Sequence, residues 1–482
     1  MKKLPLLLLS ILILIPAFAL SPADLQDAML ANNPDIQKAK AEVSKAQLDV
    51  KDAKAGYSPT VDLTITGSYI ANPIGPININ LGDYISPQIS GPPDYIQIYK
   101  GQESSYYQFQ LSITQPIFTW GKISKSIKLY SAVSDARALQ LEDTIEKTQT
   151  ELNTRVAALY YLLQIQKVLE DQTQIAQRLI TIADQAQANG MMLEADALAV
   201  KVQASQLDVA KAQIDQQVTI MLTAIEGITG LTDIQAQDLE FDEIAFQKDL
   251  ETLRDMDYQS LVAKCLSDSR TTFQLLSKLS TIAQYTKDIA NASVNWKPDF
   301  ALVVNADYSG SRFPLIQTDW YRQDDWSATV TVALKSTIFD GGKAIRNVKR
   351  TQTEVESAEV DTQSAKTQIR SAVDQNWTNL FVYQAQIDYQ NALAAQQDQK
   401  NQVNKNLLDT GYGSESDYLQ GQLERNNCQI EILQNKINQA AALYTLLYLQ
   451  GENPTTTSDA TASDSTPATE NAPAPDDAPE SL

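Results

Sequence analysis

Two stretches of 68 residues, Lys122 to Asn189 and Lys343 to Thr410, contain neither glycine nor proline. Inside a helix proline costs about 3 kcal/mol and glycine about 1 kcal/mol, so a chain that excludes both over such lengths is written for two very long helices. At ~1.5 Å per residue each extends roughly 100 Å, several times an ordinary globular helix. Proline follows the same bias. It is absent from Ile117 to Lys297, and between Asp299 and Asn453 only Pro314 occurs. Elsewhere the apolar positions repeat every 3.5 residues. Leu25, Met29, Asn32, Ile36, Ala39, Val43, Ala46, Val50 and Ala53 alternate spacings of four and three, as do Leu419, Leu423, Asn426, Ile430, Leu433, Ile437, Ala440, Tyr444 and Leu447. That period predicts left-handed coiled-coil packing, with Ala and Asn on the seams allowing close approach and selecting register.

The chain repeats itself. Ile117-Phe118-Thr119-Trp120-Gly121-Lys122 corresponds to Ile338-Phe339-Asp340-Gly341-Gly342-Lys343 at an offset of 221, and the same offset relates Gly190 to Gly411 and Gly230 to Gly451. One such pair arises by chance; three at one offset mark a duplication. Upstream, Tyr57-Ser58-Pro59 matches Trp296-Lys297-Pro298 at an offset of 239, which places 18 extra residues between the strands of the first copy. Each copy reads short helix, strand, loop, strand, long helix, turn, return helix. The helices Pro22 to Ala55 and Tyr258 to Ala292, about 50 Å each, would stack end to end with the return helices to match the long ones.

Four strands per chain show as alternation. Val61, Leu63, Ile65 and Tyr69 alternate with polar residues, as do Tyr107, Phe109, Leu111 and Ile113. In the second copy Phe300, Leu302, Val304 and Tyr308 share a face, and so do Trp326, Ala328, Val330, Val332 and Leu334. One apolar face and one polar face over about ten residues is the pattern of a transmembrane barrel strand. A soluble sandwich alternates in the same way, but four strands flanked by ~100 Å helices cannot be covered as one.

Composition narrows the function. With 38 basic and 59 acidic residues the net charge is −21, which argues against a nucleic-acid surface. Histidine is absent, which removes histidine-based triads and imidazole metal sites. Cys265 and Cys428 form neither a disulfide framework nor a CxxC motif, so no cofactor is expected. Lys2 and Lys3, the apolar run Leu4 to Ile15 and Ala17-Phe18-Ala19 read as a secretory signal cut after Ala19. No later apolar run is long enough for a spanning helix, so any membrane insertion must use strands.

The duplicated order, the segments Gln115-Pro116-Ile117-Phe118 with Gly121-Lys122 and Ile338 to Lys343, and the strand-opening Gly56-Tyr57-Ser58-Pro59 resemble the TolC-like outer membrane efflux family over nearly all of Pro22 to Asn453. The resemblance implies a mainly α fold with membrane β: a homotrimeric α-barrel of coiled-coil helices continuous with a 12-stranded β-barrel. Strand counting agrees. Four strands cannot close a barrel when the smallest have about eight, whereas three chains supply twelve. The resemblance further implies a passive exit duct in contact with outer-membrane lipid, serving efflux or type I secretion. It docks a periplasmic adaptor (a membrane fusion protein) and an inner-membrane pump of RND or ABC type.

The tip turns of that family fall here on Gly190, Met191 and Met192 and on Gly411, Tyr412 and Gly413. Its pore constriction falls on Asp417, with Gln420 at the second acidic position, while Asp196 takes the matching place in the first copy, with tip hydrogen bonding as its alternative. A glycine C-cap and a solvated charge at a helix start explain the same residues without docking or gating. The expected organisation is a signal peptide 1–19, a first repeat 20–230, an acidic equatorial insertion 231–257, a second repeat 258–452 and a disordered acidic tail 453–482. Two rivals stand beside the duct. A secreted coiled-coil filament or adhesin accounts for export and heptads but leaves the strands unused, and an outer-membrane hydrolase has no nucleophile motif to rest on.

Overall fold

A computed structural model describes residues 20–80, 95–294, 297–311 and 325–452. The signal segment with Ala19, Trp296 and the tail 453–482 lie outside these residues. Contacts divide the chain into two compact units. One holds the residues up to Ala39, Leu141–Thr271 and Ala365 onward; the other holds Lys40–Gln140 and Thr272–Ser364.

The glycine- and proline-free stretches are helices of 67 residues each, α3 (Lys122–Ala188) and α8 (Lys343–Asp409). Their return helices, α4 (Glu194–Thr229) and α9 (Glu415–Gln450), have 36 residues each. The first helix of each copy differs from expectation, because each is broken in two. The first divides into α1 (Pro22–Asn32) and α2 (Pro34–Ala55), the second into α6 (Tyr258–Cys265) and α7 (Thr271–Ala292), and α2 and α7 again match at 22 residues.

Local chemistry explains both breaks. Pro34 excludes the helical conformation from Asn33, which sits at φ −58°, ψ 125°. Asn33 Oδ1 then accepts from the Asp35 and Ile36 amides and restarts the helix. The seam consequently steps by one residue: Asn33 is buried and Asn32 is exposed. In the second copy the helix stops at Leu266, and Ser267-Asp268-Ser269-Arg270 turns the chain. Both breaks cap a return helix. The Asn32 and Asn33 amides donate to the Thr229 and Ile228 carbonyls at 3.1 and 2.9 Å. Arg270 Nη2 donates to the Tyr448 carbonyl at 2.7 Å and pairs with Glu146 at 3.3 Å. Carbonyls left open at a helix end thereby find partners from the other helix.

Among the described residues, two large apolar clusters and a small one at Leu179, Leu419 and Leu423 pack the helical unit. Leu25, Met29, Leu152, Leu159, Ile225 and Leu433 are nearly inaccessible and join α1, α3, α4 and α9. The segment 231–257 carries its own helix, α5 (Glu243–Asp255), whose Phe246, Leu250 and Leu253 fall on one face. That face packs against Leu443, Tyr444 and Leu447 of α9 and Val373 and Leu380 of α8.

The other unit carries a four-stranded antiparallel sheet ordered β1 (Thr60–Tyr69), β4 (Ser105–Phe118), β5 (Asp299–Gly310), β6 (Asp325–Lys335). Six strands rather than four are present among the described residues. The insertion in the first copy contributes a separate hairpin, β2 (Ile77–Asn80) with β3 (Tyr95–Tyr99). Its strands are four and five residues long, too short for alternation to mark them. Lys122 Nζ, at the start of α3, bonds Asp299 at 2.8 Å, and Trp120 Nε1 bonds the Pro298 carbonyl at 2.9 Å, which fixes where strand hands over to helix.

Candidate functional site

Register aligns the apolar residues of all four main strands. Val61, Leu63 and Ile65 of β1 stand opposite Ile113, Leu111 and Phe109 of β4. These stand opposite Val304, Ala306 and Tyr308 of β5, which in turn face Val330, Ala328 and Trp326 of β6. One side chain in two points to each face of a strand, so a single face is apolar across the whole sheet. Much of it is open: Leu63 is 64% exposed, Val330 71% and Trp326 79%. Contiguous apolar surface on this scale marks contact with lipid or protein.

Aromatic rings cluster at both ends of that face. Phe118, Trp120 and Phe300 pack at one end with centroids 5.2 to 6.3 Å apart, and Tyr107, Phe109 and Tyr308 at the other within 5.9 to 6.3 Å. Eight residue steps of β5 carry the chain from Phe300 to Tyr308, about 26 Å along the strand. Tilted as barrel strands are, that length spans about 20 Å across a bilayer, of the same order as the ~25 Å apolar band between two aromatic girdles. The opposite face is polar. Asp62, Ser112 and Asn305 align across three strands, and Gln108 Nε2 donates to Asp307 Oδ1 at 3.2 Å.

At the helical turns Gly190 and Gly411 adopt φ of +71° and +78°, the left-handed conformation that glycine reaches cheaply. Met191 N–H closes the first turn onto the Ala186 carbonyl at 2.8 Å, and Tyr412 N–H closes the second onto the Leu407 carbonyl at 2.9 Å. Met191 (76%) and Tyr412 (88%) project outward, whereas Met192 is half-buried. Gly413 is required by close approach instead. A Cβ there would lie 2.8 Å from both Leu407 Cβ and the Leu408 amide nitrogen.

Asp417 and Gln420 are exposed in the first turns of α9, three residues apart and therefore on one face. Asp196 holds the equivalent exposed position on α4. Ion pairs that sequence reading missed join the helices beside these turns. Arg178 of α3 grips Glu415 of α9 with two bonds, 2.7 and 3.0 Å, and this guanidinium holds the Glu415 carboxyl below its ordinary range. Arg425 approaches Asp398 at 3.3 Å across the α8–α9 hairpin. A partner 237 positions away leaves no local signal in the sequence.

A duplicated chain with 67-residue helices and a sheet whose apolar face stands open belongs to the class of helical proteins that meet a membrane through strands. Residues 25–231 and 273–452 match the family described as outer membrane efflux protein, and the chain belongs to that family of TolC-like outer-membrane transport proteins. Members are not enzymes. The two matched blocks leave out 232–272, which includes most of the acidic insertion. The probable efflux pump outer membrane protein TtgC of Pseudomonas putida is 26% identical over 164 residues, 34% of this chain and 28% of that protein. The antibiotic efflux pump outer membrane protein ArpC of the same species matches to the same extent, so the match spans little more than a quarter of these relatives.

Solved structures extend the likeness in fold. VceC of Vibrio cholerae aligns with a TM-score of 0.66 at 16% identity, covering 89% of this chain and 96% of that one. The CmeC channel of Campylobacter jejuni aligns with 0.67 at 14%, covering 89% and 85%. The filament and hydrolase readings are set aside by this membership.

Proposed function

We propose that three copies of this chain close into one passive exit duct of the outer membrane, the terminal component of an efflux or type I secretion assembly. The observation that carries the reading is the sheet. Its order leaves β1 and β6 as edges, each ten or eleven residues long, beside an open apolar face. Long unpaired edges next to apolar surface invite pairing with another copy, and a head-to-tail contact that closes by rotation removes every edge. Three such sheets give twelve strands, enough for a barrel whose polar face lines water.

Transport energy comes from partners. The turns at Gly190, Met191 and Met192 and at Gly411, Tyr412 and Gly413 dock a periplasmic adaptor, which couples the duct to an RND or ABC pump. The exposed Met191 and Tyr412 support these turns as contact surfaces. Threefold symmetry places three copies of Asp417 in one ring, with Gln420 as a neutral second ring. Such a carboxylate ring attracts cations and makes the resting constriction cation-selective. Single-channel recording in planar bilayers tests this. Asp417→Asn removes three charges at once and should reduce cation selectivity and divalent block together. If both match wild type in a conducting channel, Asp417 does not face the pore.

A further inference from the structure

Apart from strands and tips, the helical unit contains a cavity of about 310 Å3 where α5 meets α1, α3 and α9. Its walls are apolar: Phe241, Phe246 and Tyr444 present rings, and Leu25, Leu152 and Val156 fill between them. Three carboxylates, Glu240, Asp242 and Asp249, line the same space, and none of its lining residues is Lys or Arg. Asp249 follows Phe246 by three residues on α5, which places the two on one helix face, and Asp242 is the N-cap residue just before the helix. Asp242 also caps α5 through the Ala245 amide at 2.9 Å. Asp249 is half-buried, and burial pushes its carboxyl up; the cation beside it in sequence, Lys248, is exposed and does not line the cavity. Burial holds the Tyr444 proton more tightly, and the charges of Asp249 and Asp242 add to this, which puts both carboxylates within electrostatic reach of that ring.

Aromatic walls with three carboxylates and no Lys or Arg among the lining residues select for charge as well as shape. An anion meets three carboxylates, and a neutral apolar molecule gains nothing from them. A cation on an aromatic body satisfies the carboxylates and meets the ring faces. A cavity of this volume sits at the lower end of the range for small-molecule sites. We infer that this cavity binds a small lipophilic monocation, an ammonium group carried on an aromatic body. The inference is independent of the duct, since every lining residue belongs to the helical unit.

Calorimetric titration of the detergent-solubilised full chain tests it with three water-soluble probes: benzyltrimethylammonium, tetramethylammonium, which lacks the ring, and phenylacetate, which reverses the charge. Benzyltrimethylammonium should saturate at one per chain, with each of the others at least about tenfold weaker, ~1.4 kcal/mol. Asp249→Asn should weaken its binding by about tenfold. Glu240→Gln, at the exposed rim where folding does not depend on it, should weaken it by a smaller factor. Equal binding of phenylacetate, unchanged affinity in both variants, or uptake that never saturates and equals that of empty micelles would each overturn the assignment.

Discussion

Val330 lies in the middle of β6, opposite Val304, and is 71% exposed. Its replacement by arginine separates two readings of the sheet. If that face meets water, the substitution is a surface change worth less than about 0.5 kcal/mol either way. If it meets lipid, an arginine near the bilayer midplane costs ~2–4 kcal/mol per chain. That corresponds to a loss of roughly 30-fold to 1000-fold in the insertion equilibrium. Thr331→Arg is the matched control: the adjacent residue is opposite Val303 and points to the other face. The assay is insertion of urea-unfolded chain into lipid vesicles, read as the fraction protected from external protease. Val330→Arg should insert poorly and Thr331→Arg nearly as wild type. Equal insertion of the two variants would refute the argument that register places a lipid-facing wall on this side.

Three further outcomes follow from the helical unit. Gly413→Ala sets a methyl 2.8 Å from the Leu408 amide nitrogen, so the second tip turn must shift at a cost of ~1–3 kcal/mol. Hydrogen exchange over residues 407 to 413 should accelerate, whereas Gly190→Ala, with open space around its Cβ, should disturb the first turn through backbone conformation alone. Phe246→Ala empties the contact that ties α5 to α9 and should cost ~3–5 kcal/mol in denaturant unfolding; a loss below 1 kcal/mol would mean that α5 is not part of the cooperative core. Because Arg178 depresses the Glu415 carboxyl, the pair contributes above the unfolded carboxylate value and is lost as pH falls through the lower folded value. The protection of amides 414 to 418, taken relative to the intrinsic exchange rate at each pH, should therefore fall on acidification in wild type and be low at every pH in Glu415→Gln; a variant that keeps the pH dependence would assign it to another group.

Most of the architecture is legible in the sequence because it is encoded in what is missing. Excluding glycine and proline sets the length of α3 and α8 within a residue, and the offset of 221 places both tip turns and both return helices. The apolar alternation predicts the face of each long strand, and the register aligns those faces. Two features escape. The broken first helices follow from Asn33-Pro34 and from the serine-rich turn at 267–270, local signals that a seam read with one unbroken period passes over. The β2–β3 hairpin is too short for periodicity to register. At the site, the glycines are readable because a left-handed turn demands them. The Arg178–Glu415 pair and the α5 cavity are not, because each is assembled by packing between segments far apart in the chain.

In the proposed duct each chain supplies a third of a closed barrel. The mass of the native particle tests it most directly, measured by native mass spectrometry after extraction from the outer membrane in mild detergent. A single species of three chains is expected, resistant to dissociation while the sheet edges stay paired. A stable monomer with a protease-resistant, closed β-barrel would contradict it, since four long strands and one short hairpin cannot close on themselves.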